Sequence, residues 1–302
     1  MISTQKNVIA TTQRTSRITE QGLAWLFLLP YLVFYSWFML YPIFKGFIIS
    51  LNEWSIGVTP RFVGLDNYAA MLRDRYFWEA LGHTVLFVFL STPALVIFGL
   101  AFALIVNAGL KGTTFLRSAF FLPYILSISV ISSIWVFVLR PYTGLMNAIL
   151  HRLGVAREIF WLSDANLAWL SILIATVWWT VGFNMVLFLA GLQEIPDDLY
   201  EAASIDGANR WHLFRYITLP SLRGVIALIM VLQSIASFKL FGQPWLMTQG
   251  GPGTATRTLV QYIYEMGFRA NEMGQASAMS YVLFLIMIVF AVIQFRFLSN
   301  RD

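Results

Sequence analysis

Apolar runs recur six times along this chain, near residues 23–50, 82–106, 118–139, 167–192, 224–244 and 276–295. Each is long enough, at roughly 20 helical residues, to cross about 30 Å of hydrocarbon. Strands with open edges cannot satisfy their backbone in lipid, and the runs lack the alternation of a barrel wall. The expectation is an all-α polytopic membrane protein with six transmembrane helices. Composition agrees: 58% of residues are hydrophobic and only 12% charged, against about 25% charged in a soluble domain. A water-soluble enzyme and a disordered chain are both excluded on that ground. The first run is far longer than the 7–15 apolar residues of a signal peptide, so it is expected to stay as a helix, bent at Pro30 and Pro42.

The expected division is an N-terminal arm at 1–22, a six-helix domain at 23–297 and a short tail at 298–302. With the N-terminus inside, ten Lys and Arg fall on inner segments and eight on outer ones, which alone does not orient the chain. The basic flank before the first span, the pair Lys111 and Arg117 with no neighbouring acid, and tryptophans near the opposite helix ends all favour N-in. Six spans then place both termini in the cytoplasm. The net charge of +5 forms no basic stripe, so no nucleic-acid partner is expected.

The connection between the fourth and fifth runs, residues 193–223, reads as two short helices with a sharp joint. Pro196, Asp197 and Asp198 suit a helix start, and Gly207 suits a left-handed helix end. Asn209 can cap a second helix carrying Trp211, Phe214 and Ile217, which Pro220 stops. Five acids stand against three arginines, which disfavours a helix lying flat on a membrane. Ala202, Ala203, Gly207 and Ala208 give a smooth surface for close approach of another protein.

Glu201-Ala202-Ala203, then Asp206-Gly207-Ala208, then Phe214, Ile217, Leu219 and Pro220, resemble the EAA loop of permease subunits in bacterial ATP-binding-cassette importers. Phe62 to Tyr68, Phe121-Leu122-Pro123-Tyr124 and Gly250-Gly251-Pro252 are similar to the first-permease type of the carbohydrate-uptake subgroup. The resemblance implies a permease of the bacterial cytoplasmic (inner) membrane. It implies a coupling helix, Glu201 to Asn209, seated on an ATPase subunit. It also implies as partners a second related permease, two ATPase copies and an extracytoplasmic substrate-binding protein.

The chain has no Gly-x4-Gly-Lys-Ser/Thr, so ATP and Mg are expected on the partner ATPases. There are no cysteines, and the three histidines lack metal spacing. No catalytic constellation is visible, and the chain is read as a transport subunit rather than an enzyme. Polar groups within spans are the candidates for a substrate pathway: Asn184 in the fourth run, and Gln233, Ser234, Ser237 and Lys239 in the fifth. Gln233 and Ser237 share a helix face, and Trp178 or Trp179 can supply a platform for a sugar ring. Helix–helix hydrogen bonding is the competing role for the polar groups, and snorkelling for Lys239. A glycerol phosphate or other polyol-like solute is the alternative cargo. A secondary transporter or channel is the alternative class, disfavoured because the six runs contain no Asp or Glu.

Overall fold

The computed structural model describes residue 23, residues 25–109 and residues 111–299. The expected arm at 1–22 and residues 300–302 of the expected tail lie outside the described residues, and the last helix runs through Ser299.

Four helices are long and apolar enough to cross a membrane: Trp25–Ser50, Arg75–Asn107, Ala165–Gln193 and a final one, Met273–Ser299. Two bent pairs complete the six when each counts as one crossing. They are called spans 1 to 6 in chain order below. A two-residue antiparallel ladder, Asn52–Glu53 on Arg61–Phe62, is the one sheet among the described residues.

Span 3 departs from the continuous helix expected at 118–139. It consists of Thr113–Ile125 and Ile128–Val138, meeting at 102°. Leu126 is extended, and the Ser127 hydroxyl caps the second half by accepting from the Val130 amide at 3.4 Å. The Trp179 indole N–H donates to the freed Leu126 carbonyl at 3.2 Å, which satisfies a backbone group exposed by the break.

The second helix of span 5 ends earlier than expected, at Phe238 rather than near residue 244. Arg210–Ser221 and Arg223–Phe238 meet at 62°, and Lys239 ends the second helix. Pro220 does not stop the first helix. A π turn at Phe214–Thr218, closed by the Leu219 amide on the Phe214 carbonyl, precedes it, and the bend falls at Leu222. Span 1 uses the same device at Ser36–Leu40, before Pro42, and otherwise runs unbroken past Pro30. A five-residue turn removes the need for the normal carbonyl partner near the proline ring.

Span 4 is the central helix, with half of its most apolar stretch buried. The Asp164 carboxylate caps it, accepting from the Asn166 and Leu167 amides at 3.0 Å. Span 4 packs on span 2 through Met185, Phe188 and Leu189 against Ala103 and Val106. A second cluster joins Phe77 and Val88 of span 2 to Phe238 of span 5 and Met279 of span 6. Span 1 is different: no residue of its most apolar stretch is buried, and its C-terminal end meets span 6 through Phe47 and Tyr281, rings 5.5 Å apart.

Candidate functional site

The 193–223 loop folds from local chemistry. Pro196 precedes the first helix as its N-cap, one position earlier than expected, and Asp197–Ile205 follows. Gly207 takes φ +85°. Its amide donates to the Ser204 carbonyl at 3.1 Å, and the Ala208 amide donates to the Ala203 carbonyl at 2.9 Å. This pair of bonds is a Schellman ending, which needs a left-handed residue at that position. The Asn209 side chain then accepts from the His212 amide at 2.9 Å and starts the second helix. Tyr200 and Thr218 hydroxyls lie 3.0 Å apart and tie the two arms, while Tyr200 and Ile217 pack under the joint beside Leu192, Ile195 and Leu222.

Glu201, Ala202, Asp206, Gly207 and Asn209 are exposed, and Ala203 and Ala208 half-buried. Ile205 is 87% exposed at the tip. Sequence reasoning passed over Ile205. The available signal was an isoleucine between Ser204 and Asp206, with no large apolar side chain one turn away on the same face. A rigid joint that presents a large apolar side chain flanked by carboxylates suits docking to another protein.

Midway along span 4 and toward the C-terminal end of span 5 lies a cavity of about 190 Å³, closed on one side by the break in span 3. Trp179, Gln233, Ser237 and Lys239 line it together, and no carboxylate does. The Gln233 side-chain amide donates to the side-chain oxygen Oδ1 of the buried Asn184 at 2.8 Å. Asn184 therefore stands behind Gln233 as its support. Ser237 is hydrogen-bonded to Ser91 at 2.8 Å while also reaching the lining. Ser234 belongs to a seam instead, 3.4 Å from Thr92 and accepting from Gln294 at 2.9 Å. Trp178 turns to a separate, apolar cleft of about 470 Å³ lined by Phe98, Phe120 and Pro123. Three further polar residues complete the cavity: Thr176, Thr180 and Gln243. The spacing 176, 179, 180 on one helix face was the signal that could have found the two threonines. The arrangement offers amides, hydroxyls, one ammonium and an indole, suited to hydrogen bonding a polar, uncharged or weakly anionic solute.

Two groups outside the spans titrate abnormally. The Tyr142 amide, His151 and Asn147 hold the Glu158 carboxyl below the ordinary range. Burial and the hydrogen bond to Asp74 push the Tyr262 phenol upward. Among the described residues, no cluster of three His, Asp or Glu is placed to hold a metal ion.

Several known proteins share this chain's pattern. The trehalose/maltose transport system permease protein MalF of Thermococcus litoralis is 37% identical over 279 residues, covering 92% of this chain and 94% of that one. The lactose transport system permease protein LacF of Rhizobium radiobacter is 35% identical over 299 residues, covering 97% and 100%. A chain in the crystal structure of a bacterial alginate ABC transporter, in complex with an alginate pentasaccharide-bound periplasmic protein, has the same fold. Its TM-score is 0.84 at 22% identity, covering 95% of this chain and 96% of that chain. The family described as the binding-protein-dependent transport system inner membrane component matches residues 68–301, and this chain belongs to it.

Proposed function

We propose that this chain forms half of the translocation pathway of an ATP-driven sugar importer, beside a second, related permease. The observation that carries the reading is the Schellman-ended helix, which presents Ile205, Glu201 and Asp206 to a partner. Of two copies of a separate ATPase, which hold ATP and Mg, one docks on Glu201–Asn209 and the other on the second permease. A binding protein delivers the solute at the opposite face. Both termini and the 193–223 loop face the cytoplasm. Closure of the ATPases moves the coupling helix, and with it spans 4 and 5, so the cavity opens alternately to either side. Gln233, Ser237, Trp179 and Lys239 contact the solute in transit, with Asn184 and Ser234 positioning them.

A sugar is supported by the neutral donors, acceptors and indole of the cavity, and by relatives named for maltose, trehalose and lactose transport. Lys239, the one charged group in the lining, favours a second reading, a glycerol phosphate or similar polyol-like solute. The test is gentle purification of the tagged subunit from its native membrane, then reconstitution with the proteins that accompany it. ATPase activity should rise with binding protein plus sugar. Recovery as a lone, transport-competent protein would overturn the reading. Orientation is tested separately in the cysteine-free chain. Thr59→Cys should react with an impermeant thiol reagent in intact cells, and Ser204→Cys should not.

A further inference from the structure

We propose that Phe241, Trp245, Tyr264 and Phe268 form a stacking track along which the sugar reaches the Gln233 cavity from the face opposite the docking loop. The proposal rests on the reading of that cavity as the sugar pathway. Phe241 is itself part of the cavity lining. From it the rings spread outward: Phe241 lies 5.5 Å from both Trp245 and Tyr264, those two lie 5.3 Å apart, and Tyr264 lies 5.3 Å from Phe268, all between centroids. The Arg269 guanidinium lies 4.7 Å from the Trp245 ring centre.

Two features separate this strip from ordinary packing. Exposure rises along it: Phe241 and Trp245 are half-buried, Tyr264 is 36% exposed and Phe268 68%. Packed aromatic clusters bury their rings. The strip also begins in the cavity that holds Gln233, Gln243 and Lys239, whereas a belt at the membrane interface lines the lipid-facing perimeter. The chemistry is that of a pyranose. Its C–H face packs on an aromatic ring, and its hydroxyls need donors and acceptors at the ring edge. Arg269 supplies a planar set of donors beside Trp245, and the Tyr264 hydroxyl adds both a donor and an acceptor. A strip that reaches from the cavity lining through the Trp245–Tyr264 pair to Phe268 favours a chain of sugar units over a single one.

The test uses the assembled transporter in vesicles with its native binding protein and labelled maltose, trehalose, lactose and maltotetraose as probes. Tyr264→Leu and Phe268→Leu keep apolar volume and remove the ring. Each should raise the half-saturating concentration roughly threefold to tenfold, the range for losing one aromatic contact. The shift should be larger for maltotetraose than for maltose and should exceed any change in maximal rate. Tyr264→Phe and Phe268→Trp should return the value to within about twofold of wild type. Leu variants that transport like wild type would show that the rings only fill space or face lipid, and overturn the track. Loss of the second permease on purification of the Leu variants would make the strip a subunit interface, with the same consequence. Absence of stimulation by all four sugars removes the sugar reading itself, and the track with it.

Discussion

Replacing Gly182 with alanine should force apart span 4 and the first half of span 3. A Cβ at Gly182 would lie 2.1 Å from the Phe120 carbonyl oxygen and 2.7 Å from the Phe121 Cα. Both obstacles are backbone, so no rotamer change relieves them. Contacts under 3.0 Å are essentially never tolerated by real Cβ atoms, so the helices must separate by about an ångström. Two ring pairs cross or adjoin this seam: Phe102 on Phe120 at 4.3 Å and Tyr124 on Phe183 at 5.0 Å. A gap of about 0.5–1 Å forfeits roughly a quarter to a half of each dispersion well. Overpacking of this kind costs about 1–3 kcal/mol, and a backbone obstacle places Gly182→Ala near the upper end.

Two other glycines calibrate the measurement. A Cβ at Gly82, inside span 2, meets nothing within 4 Å. Gly82→Ala should be neutral or stabilising by up to about 1 kcal/mol through helix propensity. A Cβ at Gly191 meets Val225 Cγ2 at 2.6 Å and Leu222 Cδ2 at 3.0 Å, both ends of side chains that can shift, so Gly191→Ala should fall between. The assay is the temperature at which half of the detergent-solubilised complex is lost from its size-exclusion peak. The expected order of stability is Gly82→Ala, Gly191→Ala, Gly182→Ala. A Gly182→Ala complex that survives heating as well as Gly82→Ala would refute the argument from backbone approach.

Gly207→Leu, at φ +85°, should strain the loop by roughly 1–2 kcal/mol and reduce ATPase retention or uncouple hydrolysis from uptake. Gly207→Asn, better suited to left-handed backbone, should do less, read by ATPase rate and uptake in vesicles. Gln233→Leu removes the donor to Asn184 and should destabilise by about 1 kcal/mol while changing transport kinetics. Unchanged kinetics at lowered stability would reduce Gln233 to a helix–helix contact. Glu158 has a depressed carboxyl pKa, so the stability it lends the 140–161 segment is present above its unfolded pKa of about 4.3 and is lost as pH falls through the folded value. Exchange of the Tyr142 amide should therefore accelerate in acid beyond its intrinsic trend, and Glu158→Gln should abolish that component.

The local fold of the 193–223 loop was legible because its determinants sit within a dozen residues of one another. A left-handed glycine, an asparagine cap and acids in a first turn fix the chain before any tertiary contact forms. The placing of the apolar runs was legible for a different reason, since hydropathy reports on the solvent rather than on neighbours. The break in span 3 had no comparable signal. Residues 118–139 hold five serines among apolar side chains, and which of them caps a helix is decided where Trp179 takes up the Leu126 carbonyl beside Ser127. That bond joins positions 53 residues apart, so no local pattern contains it.

The same dependence decided which intramembrane groups meet the cavity. Trp178 and Trp179 are neighbours, about 100° apart around one helix, and either suits a sugar platform by chemistry alone. The turn in span 3 assigns them: Trp179 is held at the break and faces Gln233, while Trp178 faces the apolar cleft. Polar residues in a span divide by the same rule. Ser234 finds Thr92 and Gln294 and is consumed in a seam, whereas Gln233 spends one N–H on Asn184 and still lines the cavity. A single polar residue can thus fix two helices and remain available to a solute. Helix packing and cavity lining are therefore not competing roles here, because the bond that anchors Gln233 also aims it.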